Sequence, residues 1–226
     1  MEKVIITGGA GFVGHHFVEH FLKNTNWKIV VLDRLTYAGR LSRLKDIGAL
    51  DNDRVLVLTV DFSKRISEGV LRELLDSTII FHLGAESHVD RSIADPVPFA
   101  ESNVVGTTRL LTLASAMRNL KSFYYFSTDE VFGPAPKNVN FNENARYNPT
   151  NPYAASKAGA ELMCKACRHT WKLPVVIVRS MNIFGERQHP EKFIPKVIRY
   201  TLEGKTIPIH ASKQKVPGSR FYIHAR

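Results

Sequence analysis

The glycine-rich segment TGGAGFVG, residues 7–14, constrains the fold more than any other part of this sequence. It follows the apolar run KVIIT and precedes a helix-like segment, and it places Gly9, Gly11 and Gly14 in the pattern G-x-G-x-x-G. Glycines at this spacing permit a tight turn and let the backbone approach a pyrophosphate, which then lies at the helix N-terminus. The pattern alone is weak, and a purely structural glycine turn is the alternative.

An acidic residue follows this loop at the distance that dinucleotide-binding folds use. Asp33 comes 19 residues after Gly14, at the end of the next apolar run. A carboxylate there accepts from a ribose 2′-hydroxyl and repels a 2′-phosphate, so the sequence favours NAD over NADP. The neighbouring Arg34 weakens this preference, because a 2′-phosphate would attract it. Asp61 is placed either for the adenine rim or as a helix N-cap.

Apolar, β-branched runs recur along the chain with helix-like segments between them. The predicted strands are residues 3–7, 28–33, 54–60, 78–83, 121–127 and 174–179. The predicted helices are residues 12–24, 64–76, 97–118 and 151–172. This alternation predicts an α/β fold with a doubly wound parallel sheet, the Rossmann architecture. A change of composition near residues 185–190 predicts the end of the sheet domain, so a dinucleotide-binding domain is expected over residues 1–185.

The segment NPYAASKAGAE places two candidate catalytic residues on the last predicted helix. Tyr153 and Lys157 are four residues apart and therefore share one helix face. An ammonium beside a phenol stabilises the phenolate, so we expect Lys157 to lower the pKa of Tyr153 from about 10. A tyrosine tuned in this way removes the proton of a substrate hydroxyl while hydride leaves the same carbon.

The fifth predicted strand runs into the segment STDE, where two hydroxyls are followed by two carboxyls. Because side chains alternate along a strand, Asp129 and Glu130 point in different directions unless the chain bends after Thr128. Two close carboxyls whose surroundings separate their pKa values supply one acid and one base. Without the other motifs, a solvated loop or a helix cap would be the simpler interpretation.

Together these motifs resemble the extended short-chain dehydrogenase/reductase family, whose members act on nucleotide sugars, over nearly the whole chain. The matching segments are TGGAGFVG (7–14), DRLTYAG (33–39), HLGAESHVDRSI (82–93), STDEVFG (127–133), YAASK (153–157) and PEKFIP (190–195). Epimerases of the family usually lack the acidic pair, and related dehydratases and decarboxylases tend to keep only the glutamate. The resemblance therefore implies an NAD-dependent nucleotide-sugar 4,6-dehydratase, a hydro-lyase, with dTDP-glucose as the expected substrate.

The resemblance also implies that residues 186–226 are the start of a small, incomplete nucleotide-sugar-binding lobe. It implies catalytic roles as well. Tyr153, aided by Thr128 and Lys157, would remove the C4 hydroxyl proton as the sugar is oxidised. Glu130 would then take the C5 proton, Asp129 would protonate the departing C6 hydroxyl, and hydride would return from the cofactor to C6.

Further residues are assigned to the two ligands by the same resemblance. The cofactor-binding set is Gly8, Gly11, Phe12, Val13, Gly14, Asp33, Arg34, Leu35, Thr36, Asp61, Phe62, Leu83, Gly84, Ala85, Ser102, Tyr153 and Lys157. The substrate-binding set is Ser87, Thr128, Asn182, Lys192, Phe193 and Arg220. Three departures from the family pattern, at Phe132, Ile183 and Ala225–Arg226, leave the nucleobase and the sugar open.

Several other classes of protein are disfavoured. No apolar run reaches the roughly 18 residues of a membrane helix, and the N-terminus has no signal-peptide pattern, so we expect a cytoplasmic protein. Cys164 and Cys167 form a C-x-x-C pair without further ligands at zinc-site spacing, so we expect reduced packing residues and no metal site. His82 and His88 are expected to pack or to form hydrogen bonds.

The net charge of +10 is uneven, because residues 186–226 hold nine Lys and Arg residues against three Glu residues. A diphosphate-sugar ligand would account for part of this excess, and we expect no nucleic-acid partner, although such binding is an alternative. On the resemblance, we expect a homodimer formed through the two long helices. Sister reactions on the same scaffold and a non-catalytic NAD-binding sensor are the other open alternatives.

Overall fold

The structure is a computed structural model and describes residues 1–136, 138–209 and 221–226. The chain divides into two compact units, Met1–Ser180 and Met181–Arg226. The domain boundary that the sequence places after residue 185 lies within the second unit and stays a prediction.

The first unit alternates strands and helices. Its strands are β1 (Lys3–Thr7), β2 (Lys28–Asp33), β3 (Val55–Thr59), β4 (Ile79–His82), β5 (Ser122–Thr128) and β6 (Val175–Ser180). Its helices are α1 (Phe12–Asn24), α2 (Leu41–Asp46), α3 (Glu68–Leu74), α4 (Val89–Ala94), α5 (Val97–Phe99), α6 (Gly106–Ala116) and α7 (Pro152–Thr170). A π-helical segment, Ala100–Val105, joins α5 to α6, and a 3₁₀ turn, Asp129–Phe132, follows β5.

All six strands of this unit are parallel and form one sheet in the order β3-β2-β1-β4-β5-β6. The chain begins in the middle, moves outwards to β3, crosses over to β4 and moves outwards again. In open α/β sheets, ligands bind outside the carboxyl ends of the two strands at which this order reverses, here β1 and β4. The predicted doubly wound parallel sheet is confirmed.

Helices cover both faces of the sheet, which explains the unbroken apolar runs of the central strands. In β1, the side chain of Ile5 belongs to a buried cluster with α6, whereas Val4 and Ile6 belong to a second cluster with α1. All three side chains are fully buried. The central strands are therefore rigid supports for the loops that follow their carboxyl ends.

The helix predicted over residues 12–24 is confirmed as α1, and the other predicted helices are correct in position but differ in their bounds. The segment predicted as one helix over 97–118 consists of α5, the π-helical segment and α6, because one wide turn interrupts the regular ladder. The short helices α2 and α4 were not predicted, since six residues do not establish a helical period. The fourth strand ends at His82, so Leu83 lies in the following loop.

The second unit contains β7 (Asn182–Phe184), α8 (Phe193–Leu202) and β8 (Tyr222–His224). Strands β7 and β8 pair in parallel, and the side-chain amide of Gln188 donates to the carbonyl of Ile183 at 2.8 Å. Among the helices of the described residues, none combines the length and hydropathy needed to cross a bilayer.

Candidate active site

The glycine loop after β1 is shaped for an anion. Gly8 has a φ of +69°, which side-chain-bearing residues rarely adopt, and a Cβ there would lie 2.7 Å from the Cα of Gly84. Gly11 caps α1 without any side-chain hydrogen bond, and the first turn of α1 holds no acidic residue. The amides of Phe12 and Val13 belong to that first turn, where N–H groups have no intrahelical acceptor. A pyrophosphate fits this positive helix end.

Asp33 connects the glycine loop to the loop after β2. Its Oδ2 accepts from the N–H of Ala10 at 3.0 Å, and its Oδ1 accepts from the N–H of Leu35 at 2.8 Å. Burial raises the pKa of Asp33, and the two backbone hydrogen bonds partly oppose this effect. Each carboxylate oxygen keeps a second lone pair, so the side chain fits a ribose hydroxyl.

Arg34 is engaged by protein carboxylates. Its guanidinium pairs with Glu86 and lies 3.8 Å from Asp61. The side chain is therefore held by two acidic partners, which weakens the objection that it attracts a 2′-phosphate. Asp61 does not cap α3, whose N-cap is Ser67, and its placement at the adenine rim stays a prediction.

A second link joins the loop after β2 to the segment after β4. The guanidinium of Arg91, on α4, lies 3.7 Å from the ring centroid of Tyr37. Together with the pair between Arg34 and Glu86, this contact connects the two segments that flank the carboxyl ends of β1 and β4.

His82 ends β4 within a buried chain of hydrogen bonds. Its Nδ1 lies 2.6 Å from Oγ1 of Thr7, and its Nε2 lies 2.9 Å from Oγ1 of Thr107. The N–H of Gly84 donates to the same Thr7 hydroxyl at 3.0 Å. Burial, together with the charge of Lys157, lowers the pKa of His82 to about 3, so the imidazole is neutral at physiological pH. The predicted hydrogen-bonding role of His82 is confirmed.

Asn103, on the π-helical segment, is a residue that the sequence analysis missed. Its side-chain oxygen accepts from the N–H of Glu86 at 2.9 Å, and its amide nitrogen donates to the Glu86 carbonyl at 3.0 Å and to Oγ of Ser156 at 2.8 Å. Ser156 in turn donates to the carbonyl of Tyr153 at 2.7 Å. Asn103 thus ties the segment after β4 to α7. Only its position beside Ser102, a cofactor candidate, could have drawn attention to it.

The two carboxyls lie on a sharp bend. Strand β5 ends at Thr128 and the 3₁₀ turn begins at Asp129, so the condition for bringing both carboxyls to one place is met. The Thr128 hydroxyl accepts from the N–H of Glu130 at 3.3 Å and donates to Oδ1 of Asp129 at 3.2 Å. Oε2 of Glu130 accepts from Nδ2 of Asn151, the N-cap of α7, at 3.1 Å.

Tyr153 and Lys157 face this bend from the first turns of α7. Lys157 is buried, its Nζ donates to the carbonyl of Phe126 at 2.6 Å, and burial lowers its pKa to about 8. The expected lowering of the pKa of Tyr153 is wrong for this structure. Burial raises that pKa, the charge of Glu130 adds to the effect, and a hydrogen bond with Thr128 only partly opposes it.

The structure thus brings the five predicted catalytic residues together, while their roles stay predictions. The predicted substrate residues are distributed over both units. Ser87 and Thr128 lie in the first unit, and Asn182, Lys192 and Phe193 lie in the second. Lys192 is the N-cap of α8 and Phe193 is half exposed. Arg220 lies outside the described residues.

The remaining cofactor candidates differ in exposure. Phe62 and Ser102 are buried, and the Phe62 ring packs in the core edge-on to His82, at 5.2 Å between ring centroids. Any contact of Phe62 with a cofactor would therefore come from its backbone. Thr36 is exposed, and Leu35 has a φ of +54°.

The sequence matches the model of the NAD-dependent epimerase/dehydratase family over residues 4–224. The dTDP-glucose 4,6-dehydratase of Salmonella typhimurium is 40% identical over an alignment of 231 positions, which covers 95% of this chain and 63% of that relative. The low-salt glycan biosynthesis protein Agl12 of Haloferax volcanii is 42% identical over 213 residues, with 94% and 67% covered.

A solved structure gives the same likeness. DesIV, a dTDP-glucose 4,6-dehydratase from Streptomyces venezuelae crystallised with NAD bound, matches with a TM-score of 0.89 and 38% identity over 99% of this chain and 68% of that one. The chain spans only 63% of the length of the Salmonella relative.

Proposed function

The chain belongs to the NAD-dependent epimerase/dehydratase family, and from this premise we propose that it acts as an NAD-dependent 4,6-dehydratase on dTDP-glucose. The observation that carries the proposal is the pair of carboxyls on one tight turn beside the helix with the tyrosine and lysine. The Thr128 hydroxyl donates to Oδ1 of Asp129, accepts from the backbone N–H of Glu130 and is hydrogen-bonded to Tyr153. A net elimination of water needs an acid and a base in addition to the group that acts at C4.

NAD is the cofactor that the crevice supports. The open N-terminus of α1 would hold the pyrophosphate, Asp33 would hold the ribose, and Arg34 is engaged elsewhere. When bound, NAD supplies the acceptor and donor of the hydride, and its oxidised ring adds a positive charge that favours the Tyr153 phenolate.

At C4, one side chain removes the proton and two others assist it. The Tyr153 oxygen takes the proton of the C4 hydroxyl, and the Thr128 hydroxyl orients the phenol by hydrogen bonding. The Lys157 ammonium, which donates to the Phe126 carbonyl, contributes a positive charge from the buried face of α7. Because burial disfavours the phenolate, this positive charge is needed for Tyr153 to act as a base.

At C5 and C6, the turn supplies both remaining groups. Glu130, oriented by Asn151, takes the C5 proton, which the C4 ketone has made acidic. Asp129, oriented by Thr128, gives its proton to the C6 hydroxyl, which leaves as water. The elimination therefore needs Asp129 protonated and Glu130 ionised at the same moment.

Further proposed substrate contacts come from residues 182–193. Lys192, at the N-terminus of α8, would pair with the diphosphate, and Asn182 and Phe193 would contact the rest of the nucleotide sugar. This assignment also explains part of the positive charge of residues 186–226 without a nucleic-acid partner.

We also propose that the protein is a cytoplasmic homodimer. Large apolar side chains are exposed on α4, on the helical stretch 97–116 and on α7, namely Ile93, Val97, Val105 and Leu162. Exposed apolar groups on neighbouring helices are typical of a surface that another chain covers.

Two other functions remain as outcomes of the test. An epimerase or a decarboxylase of the same family would have no use for Asp129 as an acid. A non-catalytic NAD sensor would not need the hydrogen-bonded set of Thr128, Glu130 and Tyr153.

The deciding experiment is a turnover assay on the full-length protein with dTDP-glucose and without added reductant. We expect the alkali-induced absorbance of a 4-keto-6-deoxy sugar from the wild type and none from Glu130→Gln. Product only from a CDP-, UDP- or GDP-sugar would keep the reaction and change the substrate. Bound NAD without product from any of these sugars would favour the sensor.

A further inference from the structure

A buried charged cluster contacts the 3₁₀ turn that carries Asp129 and Glu130, and the proposed chemistry does not use this cluster. It consists of Glu161 on α7, Arg179 on β6 and Tyr147 in the loop between the 3₁₀ turn and α7, and we call it the Arg179 cluster. We propose that the Arg179 cluster is a positioning device, which holds the Asp129–Glu130 turn at a fixed place relative to the catalytic face of α7. The role in elimination rests on the proposed function, whereas the mechanical role does not.

The ion pair at its centre is closely fitted. Glu161 is fully buried, and the side chain of Arg179 is 11% exposed. Nε of Arg179 donates to Oε1 and Oε2 of Glu161 at 3.1 and 3.0 Å, and Nη2 donates to Oε2 at 2.5 Å. The hydroxyl of Tyr147 donates to the same Oε2 at 2.7 Å. A planar guanidinium with several donors fixes direction as well as distance.

The same guanidinium holds the loop after the carboxylate turn. Nη1 of Arg179 donates to the carbonyl of Glu143 at 3.2 Å, and Nη2 donates to the Tyr147 hydroxyl at 3.3 Å. Its Cζ lies 4.9 Å from the ring centroid of Phe132, a distance typical of a cation–π contact. One arginine therefore contacts α7, the loop and the last residue of the 3₁₀ turn.

These contacts reach the catalytic carboxyls through a short segment. Phe132 is two residues after Glu130 in the same four-residue turn, and its ring stacks on Tyr147 with 6.2 Å between centroids. The N–H of Asn148 donates to the carbonyl of Val131 at 3.0 Å. Because the turn is so short, a shift of Phe132 also shifts Glu130.

On the other side, the cluster is anchored to the catalytic helix. Glu161 is one helical turn after Lys157 and two turns after Tyr153, so all three share one face of α7. The ion pair thus fixes the distance between the groups that act at C4 and the groups that act at C5 and C6. Misplacement of a catalytic group by about 1 Å costs roughly 100-fold in rate.

The alternative is that the cluster only stabilises the fold. Buried ion pairs are weak sources of stability, because the free energy of desolvation offsets much of the attraction. Replacement of both partners by apolar residues of similar size is often neutral or stabilising, whereas removal of one partner leaves a buried unpaired charge. An apolar double replacement therefore separates the two roles, since it keeps the packing and removes the directional bonds.

The test compares Glu161→Leu/Arg179→Met and Tyr147→Phe with the wild type as full-length proteins. Arg54→Met is the matched control. Arg54 also joins elements by donating to main-chain carbonyls, those of Thr25 and Leu22 at 2.6 and 2.9 Å, but it lies at the amino end of β3. Three quantities are measured, namely the melting temperature, hydrogen exchange at the Asn148 amide, and single-turnover kinetics with dTDP-glucose.

We expect both cluster variants to fold and to exchange the Asn148 amide faster than the wild type. Product formation should fall roughly 10- to 100-fold in the double variant. The absorbance of reduced nicotinamide should rise during the turnover, because oxidation at C4 continues while elimination is delayed. Arg54→Met should match the wild type in exchange and in single-turnover kinetics.

Two results would overturn the proposal. One is a folded double variant with wild-type exchange at Asn148 and wild-type product formation. The other is a loss of product in proportion to the unfolded fraction, without any rise in reduced nicotinamide, which would mark the cluster as a stabiliser only. If the wild type yields no 4-keto sugar, the proposed function fails, and unchanged exchange at Asn148 would then refute the mechanical role separately.

Discussion

Asn151 donates from its side-chain amide to Oε2 of Glu130 at 3.1 Å. The same side chain accepts from the N–H of Ala154 at 2.8 Å and thereby caps α7. One residue thus begins the helix that carries Tyr153 and orients the carboxylate assigned to C5. The residue proposed to act at C4 and the one proposed to act at C5 are therefore connected through the first turn of α7.

Replacement of this amide by a carboxylate separates the two tasks. In Asn151→Asp the cap is kept, because aspartate caps helices as well as asparagine does. The donor to Glu130 is lost and a like charge is placed beside it, so we expect product formation to fall roughly 10-fold or more at a nearly unchanged melting temperature. Asn151→Ser, which caps without a charge, should lose less. A wild-type rate in Asn151→Asp would contradict this role of Asn151.

The buried lysine makes stability depend on pH in a defined direction. Burial lowers the pKa of Lys157 from 10.5 to about 8. Below pH 8 the folded and unfolded chains both carry this proton, whereas between pH 8 and 10.5 only the unfolded chain does, so stability rises with pH through this window. The wild type should gain up to about 3 kcal/mol in unfolding free energy over Lys157→Met between roughly pH 7 and pH 10.

Urea titrations at several pH values would measure this difference. The exposed strand residue Lys28 provides the control, because Lys28→Met should show no such trend relative to the wild type. A difference between wild type and Lys157→Met that stays constant with pH would be evidence against a strongly buried amine.

Cofactor preference should depend on the acidic partner of Arg34. Glu86→Gln removes the charge that pairs with Arg34, while the Glu86 backbone remains held by Asn103. The guanidinium then keeps only the more distant carboxylate of Asp61 and becomes more available to a 2′-phosphate, so the affinity for NADP relative to NAD should rise roughly 10-fold. Fluorescence titration with both dinucleotides measures this ratio. Glu101→Gln, at an exposed carboxylate 3.9 Å from Lys64, should leave it unchanged.

The contact between Tyr37 and Arg91 should slow the release of NAD. Tyr37→Ala removes the ring that lies 3.7 Å from the guanidinium, so the link between the loops beside β2 and β4 is weakened. We expect NAD to dissociate roughly 3- to 10-fold faster, as the loss of one partly exposed cation–π contact implies. Tyr37→Phe keeps the ring and should release NAD at the wild-type rate. If NAD dissociates from Tyr37→Ala and Tyr37→Phe at the same rate, the contact with Arg91 does not slow its release.

Local sequence patterns were sufficient for the sheet and for the glycine loop. Buried parallel strands have apolar residues on both faces, so their runs stand out without any knowledge of the partner strands. Alternation along the strand showed only that a bend after Thr128 is the condition for Asp129 and Glu130 to act together, and the structure supplies that bend. These features depend on residues that are close together in the sequence.

Features that depend on distant partners were missed. The environment of Arg34 is set by Glu86, 52 residues away, and the pKa of Tyr153 is set by burial and by Glu130, 23 residues away. The four-residue spacing of Tyr153 and Lys157 indicated a shared helix face but gave no information about how deeply the two side chains are buried. The π-helical segment with Asn103 was missed as well, because its composition does not differ from that of an ordinary helix.

The close approach of Gly8 and Gly84 has a consequence for the whole crevice. A Cβ on Gly84 would lie 3.1 Å from the backbone nitrogen of Gly8 and 2.8 Å from the ring of Phe62, so neither loop admits a side chain here. The backbones of the two loops therefore approach each other directly, with the Phe62 ring and the Thr7 hydroxyl packed against Gly84. A side chain introduced at either glycine would push the two loops apart, so the width of the crevice at this point depends on the two glycines.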